Sequence, residues 1–128
     1  MKNCNQKFFL CEHCGNLIGL INASGVPIEC CGEPMLELEA NTVDAAAEKH
    51  LPKVEINGGN VKVKVGEVAH PMTEEHYISW MYLQTDRGGQ RKCLEPGNAP
   101  ELEFELTDDT PAALFSYCNL HGLWMTEL

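Results

Sequence analysis

The chain has 128 residues, enough for one ordinary domain or for a small unit joined to a larger one. Its 9 basic and 19 acidic residues leave a net charge of −10, which argues against nucleic acid, since that partner needs a basic footprint. No run of about 18 apolar residues is present to span a membrane as a helix, and residues 1–7 lack the apolar core of a signal peptide, so the cytoplasm is the expected compartment.

Residues 1–37 read as a first unit. Phe8-Phe9-Leu10 suggests a short strand running into Cys11-Glu12-His13-Cys14-Gly15, residues 17–22 a second strand, and residues 23–27 a turn before Cys30-Cys31-Gly32. Seven cysteines is an odd count, with four of them between positions 11 and 31. An odd count without a signal peptide disfavours a disulfide framework and favours a metal site. Two residues between Cys11 and Cys14 let both thiolates reach one ion from a tight turn. Gly15 and Gly32 suit such turns because glycine accepts unusual dihedrals. Four thiolates fit tetrahedral zinc or iron, and spacing does not choose between them. The adjacent Cys30-Cys31 departs from an ordinary zinc ribbon, which presents two knuckles of the two-residue-spaced kind. Cys4 and Cys93 belong to neither cluster, and His13 is expected to face solvent. A unit this small has little core, so it is expected to need a metal or a partner chain to fold.

Residues 38–48 read as a linker, with Asn41 or Thr42 capping a helical turn over 43–48 that Leu51-Pro52 ends. From Lys53 onward the period is two. Val54 and Ile56, then Val61, Val63 and Val65, alternate with charged residues about the hairpin signal Asn57-Gly58-Gly59-Asn60. Residues 77–85 form an aromatic-rich strand, Asp86-Arg87-Gly88-Gly89 a turn, and Leu102, Phe104 and Leu106 alternate with glutamates. Residues 112–117 and 123–126 complete the set. Short strands at this spacing point to an antiparallel β-sandwich over residues 49–128. Residues 49–92 hold seven of the nine basic groups and five acids, which is either a field for a small anion or a strand pair with solvated lysines.

Cys118-Asn119-Leu120-His121-Gly122 places a thiol and an imidazole three residues apart at a strand-to-loop turn. His50, His70 and His76 also fall at turns or strand ends, so four imidazoles and one thiolate can converge on one transition metal.

Together these stretches resemble the desulfoferrodoxin family, two-iron superoxide reductases. The resemblance rests on Cys-x-x-Cys followed by Cys30-Cys31-Gly32-Glu33-Pro34-Met35, on Glu48-Lys49-His50-Leu51-Pro52, on His70-Pro71-Met72 with His76, and on Cys118-Asn119-Leu120-His121-Gly122. It spans essentially the whole chain in the family's order; Leu51, where valine is common, changes no ligand. The resemblance implies a mainly β protein: a desulforedoxin-like unit followed by an immunoglobulin-like sandwich. It implies two iron ions per chain, one on Cys11, Cys14, Cys30 and Cys31, the other on His50, His70, His76, His121 and Cys118. It implies one-electron reduction of superoxide to hydrogen peroxide, with Lys49 attracting the anion and Glu48 the carboxylate that takes the sixth iron position in the ferric state. It also implies a rubredoxin-like electron donor and a homodimer. The competing readings are a two-iron electron-transfer protein without superoxide chemistry and a zinc-ribbon interaction module.

Overall fold

Alternate valines and leucines in the period-two stretches need cover, whereas the lysines and glutamates between them do not, and the chain folds accordingly. The computed structural model describes residues 5–43 and 45–128, without the side chain of Glu48. In chain order it contains β1 (Lys7–Leu10), β2 (Leu17–Leu20), β3 (Glu29–Cys30), β4 (Glu33–Pro34), β5 (Leu36–Glu37) and the single turn of α1 (Ala47–His50). There follow β6 (Pro52–Asn57), β7 (Asn60–Val65), β8 (Ile78–Thr85), β9 (Gly88–Cys93), β10 (Glu101–Glu105), β11 (Pro111–Cys118) and β12 (Gly122–Glu127). Among the described residues no helix is long and apolar enough to cross a membrane.

Two antiparallel sheets, β10-β7-β6 and β12-β11-β8-β9, make the sandwich. Between them lie Val61, Val63, Val65, Ile78, Met81, Leu83, Phe104, Leu114 and Cys118, all essentially solvent-free. This is the immunoglobulin-like architecture the sequence led us to expect, preceded by the small sheets β2-β1-β5 and β3-β4 that carry the cysteines. The hairpin at residues 57–60 forms as expected, with Gly58 at φ 60° supplying the left-handed turn. The lysine-rich stretch resolves into a face of mixed sign. Lys62 lies opposite Glu55 and Glu103, Lys64 opposite Lys53 and Glu101, and Lys53 pairs with Glu67 at 2.6 Å.

Strand β11 is buried on both sides. Leu114 and Cys118 enter the sandwich, while Ala113, Phe115 and Tyr117 point the other way, toward β1. There Phe8 meets Trp80 at a centroid distance of 4.9 Å, Phe115 at 5.5 Å and Tyr82 at 5.8 Å. Full burial of a phenylalanine contributes about 1.5–3 kcal/mol. The N-terminal sheet therefore leans on the sandwich itself, a support that its own sequence does not reveal. Where β11 pairs β8 the register skips one residue, Ser79, between the Tyr117–Trp80 and Cys118–Ile78 pairs. Such a bulge re-aims side chains, and here it lets both Ile78 and Met81 face the interior.

Two local expectations change. The helical turn lies at Ala47–His50 rather than over residues 43–48, with Ala46 as an N-cap that makes no side-chain bond; Asp44 lies outside the described residues. Asn41 is drawn elsewhere: its amide brackets Met125, donating to the Met125 carbonyl at 3.1 Å and accepting from the Met125 amide at 2.9 Å. Thr42 turns back onto the Glu39 carbonyl at 2.8 Å. The turn at Asp86-Arg87 is shorter than expected, because Gly88 and Gly89 already belong to β9.

Candidate metal centres

The first cluster grows from two tight turns. After β1 the Gly15 amide donates to the Cys11 carbonyl at 2.9 Å and the Cys11 amide to the Asn16 carbonyl at 2.8 Å, with Gly15 at φ 84°. The second turn places Cys31 at φ 54° and Gly32 at φ 79°. A left-handed cysteine is a strained residue, and this strain accompanies the turn by which two neighbouring side chains reach one point. The four sulfurs of Cys11, Cys14, Cys30 and Cys31 all lie within 4.8 Å of one another, and Cys14 and Cys30 are 3.7 Å apart. A tetrahedron with metal–sulfur bonds of about 2.3 Å has an edge of about 3.8 Å. All four are free thiols. The backbone amides of Cys14 and His13, outweighing desolvation, lower the Cys11 pKa to about 6. Crowding by the other thiols raises Cys31 to about 12. A divalent cation relieves that crowding, so the donor set fits one. His13 stands outside the cluster, 3.0 Å from Glu33 and exposed, as expected. Cys93 is exposed, with the Arg91 guanidinium 3.0 Å from its sulfur. Cys4 lies outside the described residues.

The second cluster is assembled from α1, the loop before β8 and the turn between β11 and β12. His50, His76, Cys118 and His121 offer ligand atoms within 4.8 Å of one another. His70 joins them through its ring, 4.7 Å from the rings of both His50 and His76. The ring nitrogens are sorted by their partners. His50 Nδ1 sits 2.7 Å from the Ala46 carbonyl and His70 Nδ1 2.7 Å from the Pro71 carbonyl. A carbonyl only accepts, so both Nδ1 atoms carry the proton and both Nε2 atoms carry the lone pair. His121 turns Nδ1 inward, 3.1 Å from His50 Nε2 and 3.9 Å from Cys118 Sγ.

Nε2 of His70 and Nε2 of His76 are buried and, among the described residues, lack any hydrogen-bond partner. Buried nitrogens without partners are costly, and a cation among them removes the cost. Burial is the first cause holding the His70 pKa down, to about 4, and it lowers His76 as well, with the charges of His121, His50 and Lys49 adding to the effect. Burial thus favours the neutral form of both rings, the form that can bind a metal. Cys118 is wholly buried, and burial raises its pKa despite the opposing amides of His121 and Leu120. The His121 amide donates to Cys118 Sγ at 3.4 Å. Four imidazoles and a thiol that must lose its proton make a donor set for a borderline transition metal.

Lys49, on α1 beside His50, is exposed, and its charge is one cause of the lowered His76 pKa. Glu48 lies in the same turn; its side chain is outside the described residues. Two further residues act on the cluster without a signal in their spacing. Trp124 stacks on His50 at 4.9 Å and 23°, and its Nε1–H donates to the His121 carbonyl at 3.1 Å. Asn119 lies between two ligands in sequence, but its partners belong to a loop about forty positions earlier.

Comparison with known proteins gives consistent results. The desulfoferrodoxin family profile matches residues 42–127. The desulfoferrodoxin of Nitratidesulfovibrio vulgaris is 46% identical over 121 residues, covering 94% of this chain and 95% of that protein. A desulfoferrodoxin homolog of Archaeoglobus fulgidus is 44% identical, covering 94% of this chain and 96% of that protein. The crystal structure of the superoxide reductase from Treponema pallidum superimposes with a TM-score of 0.81 at 46% identity, covering 96% of this chain and 99% of that one.

Proposed function

The chain belongs to the desulfoferrodoxin family, and from that premise we propose that it is a superoxide reductase. It takes superoxide, one electron and two protons to hydrogen peroxide, in defence against oxidative stress. The observation that carries this reading is the His/Cys cluster, with its unpartnered buried Nε2 atoms beside an exposed lysine.

In this reading His50, His70, His76 and His121 supply four nitrogens, Cys118 a sulfur, and Cys11, Cys14, Cys30 and Cys31 the second, rubredoxin-type iron site. Iron held by these five donors would supply the single electron and leave room for a small ligand. Lys49 would draw the anion to the cluster and hold it by charge, since an ammonium on a flexible stem is a mobile point charge. It also orders a water that can pass a proton to the reduced oxygen. Cys118, which must lose its proton to bind a metal, would supply electron density to it. Glu48 is the carboxylate that would bind the oxidised iron. Residues 1–37 form the four-cysteine unit, 38–48 the linker and 49–128 the catalytic sandwich. The protein works as a cytoplasmic homodimer and takes electrons from a rubredoxin-like donor.

The test is iron content with superoxide kinetics. Two irons per chain, and one hydrogen peroxide per superoxide with no dioxygen released, support the reading. Release of dioxygen would mean dismutation, and an iron-loaded chain inert to superoxide would be an electron-transfer protein.

A further inference from the structure

We infer that Asn119 is the positioning residue for His76, and through it for the geometry of the His/Cys centre. The inference rests on the reading of that centre as an iron site. Three of the four histidines are steered by bonds of their own. His50 and His70 have Nδ1 on backbone carbonyls, and the carbonyl of His121 receives the Trp124 indole. The His76 ring makes no hydrogen bond among the described residues, so its direction depends on its backbone. That backbone is closed locally onto Thr73: Thr73 N–H donates to the His76 carbonyl at 2.9 Å, and His76 N–H donates to Thr73 Oγ1 at 3.2 Å.

Asn119 fixes this turn against the ligand loop. Its Oδ1 accepts from the Tyr77 amide at 2.9 Å, and its Nδ2 donates to the Glu75 carbonyl at 3.0 Å. Its own amide donates to the Tyr77 carbonyl at 3.2 Å. One side chain thus grips both neighbours of His76, and it sits on the loop that carries Cys118 and His121. The grip requires a donor and an acceptor on one short, planar group, which a carboxamide has and an ionised carboxylate lacks. Because the side chain is exposed, these bonds contribute little to stability and act mainly on geometry.

The test uses the full chain loaded with ferrous iron. Asn119→Ala is compared with wild type and with Ile56→Ala, an exposed β6 residue that belongs to neither cluster. Iron release to a chelator is followed at each centre, together with the thiolate-to-iron absorption band that appears on oxidation. Loss of a group that orients a metal ligand typically weakens binding by about 10–100-fold. Asn119→Ala is therefore expected to release the His/Cys iron about 10-fold faster or more and to shift its band. Release from the four-cysteine centre stays unchanged, and Ile56→Ala changes neither quantity. Asn119→Asp keeps the acceptor for Tyr77 and loses the donor for Glu75, and the same readouts shift in it should Asn119→Ala not fold. A variant that is less stable yet has wild-type release and band overturns the inference alone. A wild-type chain that takes up no iron at this centre overturns both the inference and the reading beneath it.

Discussion

With metal removed, His70 makes the fold sensitive to acid. The residue is 2% exposed, and burial, partly opposed by the bond to the Pro71 carbonyl, takes its pKa from 6.5 to about 4. Below pH 6.5 the unfolded ring binds a proton that the folded ring refuses. Stability is therefore complete above about pH 6.5, falls as the pH drops toward 4, and levels off below that. The whole interval corresponds to at most about 3 kcal/mol, of which about 1–2 kcal/mol is expected to appear as lost stability. The lowered pKa of His76 acts in the same direction. The assay is urea unfolding of the metal-free chain at neutral pH and near pH 4.5, for wild type and for His70→Leu. Between the two pH values, wild type is expected to lose more stability than His70→Leu, by about 1 kcal/mol. Parallel pH profiles for the two chains would refute the burial argument.

Other changes test neighbouring parts of the structure. Lys49→Ile should slow superoxide capture and weaken its dependence on ionic strength, while leaving iron content intact; pulse radiolysis across a salt series gives the answer, and an unchanged rate removes Lys49 from the mechanism. Gly66 has φ 84°, and a Cβ there would press into the carbonyls of Lys49 and Val68. Gly66→Ala should cost about 1–3 kcal/mol and lower iron occupancy at the His/Cys centre alone, seen in thermal melts and iron analysis. Trp124→Phe keeps a ring over His50 but strips the His121 carbonyl of its donor. It should cost about 1–3 kcal/mol in urea unfolding; an unmoved midpoint would discount that bond.

The clustering of these cysteines and histidines was legible because their chemistry is rare and grouped: thiols in pairs, and imidazoles at turns. The sandwich was legible where one face is wet, as in β7, where lysines separate Val61, Val63 and Val65, and in β10, where glutamates flank Phe104. What remained hidden depends on partners distant in sequence. Nothing near Asn41 says that it prefers the Met125 backbone to a helix end. Phe8 reads as part of a short strand until Trp80 and Phe115 arrive from the far side of the chain. The N-terminal strand therefore gains cover that local composition does not show. β9 went unread because Gly88-Gly89-Gln90-Arg91-Lys92 has no apolar alternation; it is an edge strand held to β8 by backbone pairing.

The two-sided burial of β11 has a consequence for folding fidelity. Side chains alternate along a strand, so a slip of one residue against β8 would exchange its faces. Tyr117 and Phe115 would be forced into the sandwich, and Cys118 would swing away from His50, His76 and His121. Most strands of a sandwich reveal such an error only as lost stability. Here a misaligned chain would also take the Cys118 thiol out of the histidine cluster, so under the proposed iron-site reading the colour of the oxidised centre would serve as a visible proofreader of strand alignment.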